Sequence, residues 1–151
     1  MIFNTKKIIG ISSGGGHLSE LLKAIPRFYE KDIIYVTFKN GHTQDTLKNK
    51  KHYFIIDPHI SKIKYLINFI QSFFLFIKIR PKVIISTGAG IAIPLILIGR
   101  LFKSKIIFIE SGARIYNPSK TANFLYKYTD LFMIQYESLQ TFFPTAKIGD
   151  L

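Results

Sequence analysis

The stretch IIGISSGGGHLSELL, residues 8–22, runs from a short apolar segment through three consecutive glycines and a histidine into a helical pattern. The residues before the glycines lack polar alternation, as a strand buried on both faces does. After them Leu18, Leu21, Leu22 and Ile25 recur at helical spacing. A strand turning through glycines into a helix is the opening unit of a parallel sheet with crossover helices. Five more apolar runs follow: DIIYVTF (32–38), YFII (53–56), KVIIST (82–87), KIIFIE (105–110) and DLFMIQ (130–135); the first run is KKIIGI (6–11). Helical patterns over 42–50, 61–79, 92–103, 119–128 and 137–143 separate or follow them. This alternation predicts an α/β fold: a doubly wound parallel sheet forming a single domain over residues 1–151.

In such sheets ligands gather at the C-terminal ends of the strands. Three strand ends are unusual: Ser12-Ser13-Gly14-Gly15-Gly16-His17, Ser86-Thr87-Gly88-Ala89-Gly90 and Glu110-Ser111-Gly112-Ala113-Arg114. All three are expected on one edge. Glycines before a helix let backbone N–H groups approach a phosphate. A dinucleotide site needs G-x-G-x-x-G and an acidic residue ending the second strand, whereas this chain has Thr37-Phe38-Lys39 there. A P-loop needs Gly-Lys-Ser/Thr, and here His17-Leu18 follows the glycines. What survives is a loop, Ser13 to Gly16, for a pyrophosphate or sugar-phosphate, with His17 at the helix start. Glu110 closes an apolar strand, either paired with Arg114 or facing the ligand; no second carboxylate stands near it to make a glycosidase-type pair. His42, His52 and His59 lack metal-ligand spacing, and there are no cysteines. Neither a metal nor an organic cofactor is called for.

The formal charge is +12, and 17 of the 21 basic residues are lysine. Its distribution is one-sided, with no acidic residue between Asp57 and Glu110, which points to an anionic partner. The same region holds SKIKYLINFIQSFFLFIKIRPK (61–82), where only Asn68, Gln71 and Ser72 are polar between Lys64 and Lys78. A bilayer span needs about 20 apolar residues, so this helix is too short to cross. Ile63, Ile67, Ile70, Phe74 and Ile77 form one apolar face and Leu66, Phe69, Phe73 and Phe76 a neighbouring one. Covering a sheet needs one face. The second, bracketed by Lys64, Lys78 and Arg80, is expected to lie on an anionic membrane surface. Nucleic acid fits poorly, because the aromatics sit in apolar runs and are not interleaved with the charges. The opening MIFNTKK leads straight into a strand pattern, with no room for a signal peptide.

SSGGGH, STGAGIAIP and IFIESGARIYNPSKTANFLYKYTDLFMIQYESL together resemble the half-glycosyltransferase family of the membrane-anchoring subunit of the dolichol-linked UDP-GlcNAc transferase. Bacterial capsule and exopolysaccharide proteins of the CpsF, EpsE and PssD type are similar, as is, more distantly, the N-terminal domain of MurG. Ser12 and Ser13 stand where MurG-like loops carry glycines. The resemblance implies the Rossmann-like N-terminal domain of a GT-B transferase, with AKIGDL falling where such a protein crosses to its second domain. It implies Gly14, Gly15, Gly16 and His17 as an acceptor-side loop, and Gly88, Gly90, Glu110, Ser111 and Arg114 as cleft lining. It further implies a catalytic partner subunit holding the UDP-sugar, a polyprenyl-pyrophosphate-linked acceptor, and a peripheral place on the cytoplasmic face of the cell membrane. Two other readings fit the same residues: a non-catalytic membrane scaffold for the partner, and a stand-alone sugar-phosphate enzyme.

Overall fold

The computed structural model describes residues 7–25, 33–149 and 151. Lys6 and Asp32, the first residues of two expected strands, lie outside them. Among the described residues seven strands form one sheet: β1 (Ile8–Ser12), β2 (Ile33–Thr37), β3 (His52–Phe54), β4 (Val83–Gly88), β5 (Lys105–Ile109), β6 (Leu131–Ile134) and β7 (Lys147–Ile148). All neighbours are parallel, in the order β3-β2-β1-β4-β5-β6-β7. The helices are α1 (Gly16–Ala24), α2 (Gly41–Leu47), α3 (Lys62–Ile79), α4 (Ile93–Leu101) and α5 (Lys120–Leu125).

Strand side chains alternate between faces. Ile8, Ile33 and Tyr35 pack with Leu18, Leu21 and Leu47 under α1 and α2. Ile9, Ile11, Ile84 and Phe108 pack with Leu75, Leu95 and Leu125 under α3, α4 and α5. Chain order reverses direction across the sheet between β1 and β4, so the crevice for a ligand lies beyond their C-terminal ends. Two short elements differ from expectation. The 137–143 segment forms only a 3-10 turn over Glu137–Leu139, and β7 arises in a stretch with no apolar run.

The largest departure is in α3. Its inner face is Asn68, Ser72, Leu75, Phe76 and Ile79, all buried, with half-buried Tyr65 in line. Both apolar faces read from the sequence, apart from Phe76, are exposed: Ile63, Leu66, Ile67, Phe69, Ile70, Phe73, Phe74 and Ile77. Phe76 is not a membrane contact; it is 5% exposed and stacks on Phe102 with ring centroids 5.1 Å apart. Asn68 and Ser72 turn inward because the loops beneath offer them partners, while Gln71 stays exposed. Asn68 Nδ2 donates to the Ile56 and Ile91 carbonyls at 2.8 and 3.3 Å, and the Ser72 hydroxyl donates to Asn68 Oδ1 at 3.1 Å. Buried amides with such partners are tolerated where isolated ones are not. Among the described residues no helix is long and apolar enough to cross a membrane.

Candidate functional site

The C-terminal ends of β1, β4 and β5 do meet. A cleft of about 510 Å³ is lined by His17, Gly88, Ser111, Arg114, Ser119 and Lys120, among others. His17 sits in the first turn of α1 and is tied to the end of β4 by two reciprocal bonds. Its Nδ1 lies 2.7 Å from the Thr87 carbonyl, and the Thr87 hydroxyl donates to the His17 carbonyl at 2.6 Å. A carbonyl only accepts, so Nδ1 carries the proton and Nε2 is the nitrogen left to accept one.

Gly88 belongs to this contact. Its φ is +100°, and a Cβ there would sit 3.3 Å from His17 Cε1, so both backbone and space call for glycine. The glycine loop precedes α1: the Ser13 N–H donates to the Gly88 carbonyl at 2.9 Å, and Gly15, with φ +67°, occupies the N-cap. Among the described residues no side chain caps α1, and its first turn has no acidic residue. Gly15 and Gly16 face open space, whereas Gly14 is pressed against Phe38 and Thr43. An exposed, uncapped helix start of this kind suits an anion.

Glu110 does not line the cleft. It is 1% exposed, and its Oε1 accepts from the Ser111 N–H at 3.0 Å and the Ser119 hydroxyl at 3.1 Å, while Oε2 accepts from the Ser119 N–H at 2.8 Å. Neither Arg114 nor any other cation pairs with it among the described residues. Its work is structural. It fixes Ser119, which caps α5 by accepting from the Ala122 N–H at 3.0 Å, and so holds both ends of the loop carrying Ser111 and Arg114. Gly90 is beside the cleft, closed over by Tyr65: a Cβ on Gly90 would meet the tyrosine oxygen at 2.6 Å.

Two residues escape the sequence reading. Glu20, one turn after His17 on α1, accepts from the Gly112 N–H at 2.8 Å and the Ser111 hydroxyl at 3.3 Å, tethering the β5–α5 loop to α1. Its i,i+3 spacing from His17 is the signal that places both on one helix face. Tyr65 joins the N-terminal end of α3 to the cleft rim, and only the fold reveals it. Of the residues expected to touch a membrane, Lys64, Phe69, Phe73, Lys78 and Arg80 are exposed, with Lys78 Nζ 5.0 Å from the Tyr53 ring centroid.

Residues 56–149 match the family described as "Oligosaccharide biosynthesis protein Alg14 like". The chain belongs to the Alg14-like family. This Alg14-like chain is 24% identical to the UDP-N-acetylglucosamine transferase subunit ALG14 of Saccharomyces cerevisiae, covering 93% of this chain and 74% of the yeast protein. It is 28% identical to the Candida albicans subunit of the same name, covering 83% of this chain and 68% of the relative. A Streptococcus agalactiae UDP-N-acetylglucosamine–N-acetylmuramyl-(pentapeptide) pyrophosphoryl-undecaprenol N-acetylglucosamine transferase is 24% identical over 95% of this chain, but over only 44% of its own length. In fold, Acinetobacter baumannii MurG superposes with TM-score 0.73 at 16% identity, covering 87% of this chain and 42% of MurG. A UDP-N-acetylglucosamine 2-epimerase from Rickettsia bellii gives 0.74 at 12% identity, covering 92% and 41%. The Alg14-like chain thus has the Rossmann-like fold of a GT-B half and spans under half the length of those two-domain-sized neighbours.

Proposed function

We propose that this Alg14-like chain is the acceptor-side, membrane-recruiting half of a two-polypeptide glycosyltransferase. A UDP-sugar is held chiefly by a catalytic partner chain, and the acceptor is a sugar on a polyprenyl pyrophosphate at the cytoplasmic face of the membrane. Lipid-linked oligosaccharide assembly is the setting its relatives' names favour; capsule or exopolysaccharide synthesis is the narrower setting suggested by the sequence resemblance. The observation that carries this reading is the cleft itself: His17, Ser111, Arg114 and the uncapped start of α1 converge on one strand edge.

The chemistry follows from that convergence. The pyrophosphate meets the α1 N–H groups at Gly15 and Gly16, with Arg114 and Lys120 supplying positive charge. His17 Nε2 takes the proton of the acceptor hydroxyl as that oxygen bonds to the anomeric carbon and the nucleoside diphosphate leaves with the bonding pair. Thr87 holds the imidazole in the tautomer this requires. The exposed apolar side of α3 lies in the membrane interface, and Tyr65 connects it to the cleft.

The test is His17→Ala in the reconstituted pair, followed with a radiolabelled UDP-sugar and a lipid-linked acceptor. Turnover is expected to fall by roughly 10²–10⁴ with complex formation unchanged. Unchanged turnover would remove the catalytic role and leave the scaffold reading, and transfer by the chain alone would favour a stand-alone enzyme.

A further inference from the structure

The opposite end of the sheet carries a second basic surface that transfer does not use. α3 and α4 both end there, each followed within two residues by one in the left-handed region: Arg80 with φ +51° and Lys103 with φ +64°. Glycine is the usual occupant of such positions because it has no Cβ to crowd the backbone. At Lys103 the helix closes with a full Schellman pair. The Ser104 N–H donates to the Gly99 carbonyl at 2.8 Å and the Lys103 N–H to that of Arg100 at 3.2 Å. At Arg80 the N–H donates to the Phe76 carbonyl at 2.7 Å, and Pro81 stops the helix. Long cations at both places are therefore less stable than glycine would be, which invites the question of what they serve.

They share a cavity. About 400 Å³ in volume, it is lined by Phe76, Ile77, Arg80, Lys82, Phe102 and Lys103. The stacked Phe76 and Phe102 rings provide its apolar wall, and the Ser104 hydroxyl, donating to the Pro81 carbonyl at 2.7 Å, ties the two helix ends together. None of its cations is in a salt bridge among the described residues, although Lys103 also lines a neighbouring cavity with Asp130. Asp57 pairs with His59, and Asp130 is shared by Arg100 and Lys105. Three cations outside any salt bridge, set around an aromatic wall, suit a phosphate with hydrocarbon attached. The rim identifies the source of that phosphate. Phe102, 50% exposed, lines the cavity beside Ile77 of the outer α3 face, and its chain neighbour Leu101 is 77% exposed, so a ligand seated here has exposed apolar side chains next to its hydrocarbon.

We infer that the joined ends of α3 and α4 form a headgroup site, in which Arg80, Lys82 and Lys103 hold the phosphate of an anionic phospholipid while Leu101 and Phe102 enter the bilayer surface. This rests on the membrane reading of α3 and adds a fixed point to it. The 18 residues of α3 make it about 27 Å long, so the headgroup site grips one end while the cleft lies at the other, fixing the tilt at which the cleft meets the membrane.

The test exploits the backbone. Arg80→Gly with Lys103→Gly removes both cations and relieves both left-handed residues, so thermal stability is held or raised. Flotation with phosphatidylcholine vesicles containing about one-third phosphatidylglycerol is expected to weaken at least tenfold. Binding to pure phosphatidylcholine should stay unchanged. The charge-matched control, Lys23→Ala with Lys48→Ala on the α1–α2 layer, should lose less than about twofold, being remote and screened. Equal losses in the two double variants would reduce the effect to diffuse charge and overturn the site. So would inorganic phosphate that binds wild type but not the glycine pair while the two float equally, which would assign the cavity to free phosphate. Wild-type protein that floats with no vesicle overturns the membrane reading of α3 as well. Wild-type binding that the glycine pair leaves intact overturns the headgroup site alone.

Discussion

Phe74 and Phe76 are two residues apart on α3, and the structure gives them opposite fates. Phe74 is 67% exposed and Phe76 5%. Fully burying a phenylalanine side chain is worth about 1.5–3 kcal/mol, so the exposed two-thirds of Phe74 represents about 1–2 kcal/mol that only a membrane or partner can recover. Phe74→Ala should leave the melting temperature nearly unchanged and reduce vesicle partitioning by roughly 5- to 30-fold. Phe76→Ala removes a core ring that stacks on Phe102 and contacts the cluster beneath α3 and α4. Its expected penalty is about 3–5 kcal/mol, which for a chain of this size lowers the melting temperature by roughly 6–20 °C. Thermal unfolding by circular dichroism, run beside flotation on the same preparations, reads both quantities. If Phe74→Ala unfolds as early as Phe76→Ala, the outer face of α3 is packed against the protein itself and the interfacial reading fails. If both variants partition like wild type, the apolar face makes no contact with lipid.

Two further outcomes are expected. Glu20→Ala should leave the Gly112 N–H and Ser111 hydroxyl without their charged acceptor and speed hydrogen exchange over residues 111–114 by about tenfold or more; exchange at the wild-type rate would show that the tether does not hold the loop. Burial raises the Tyr35 phenol above its ordinary value of 10.0, so the unfolded chain loses that proton first as pH rises. Stability from this group is complete below pH 10 and is lost as pH climbs through the folded value, a decline that Tyr35→Phe should flatten in pH-dependent urea unfolding.

The sheet is legible in the sequence because its central strands are apolar on both faces and each ends in glycines or small polar residues. The cleft is legible for the same reason: parallel strands place their C-terminal loops on one edge, so His17, Gly88, Ser111 and Arg114 are forced together. Other features depend on partners that no local pattern announces. Asn68 and Ser72 break the apolar stripe of α3, yet they mark its inner face because the Ile56 and Ile91 carbonyls wait there. Glu110 reads as a ligand contact at a strand end, but three donors from Ser111 and Ser119 turn it into a brace. Strand β7 is two residues long, Lys147 and Ile148, and adds to the sheet only because the exposed edge of β6 is there to receive it.

The division of α3 into an inward polar seam and an outward apolar skin also sets rules for redesign. A water-soluble version would keep Tyr65, Asn68, Ser72, Leu75, Phe76 and Ile79, since these bind the helix to the sheet and the cleft rim. The eight outward positions from Ile63 to Ile77 are free for charged, helix-favouring residues such as glutamate and lysine. Cutting the helix away to gain solubility would remove the seam with the skin and uncover the core beneath it. The feature that makes the chain greasy and the feature that keeps it folded occupy one helix, but not one side chain in common.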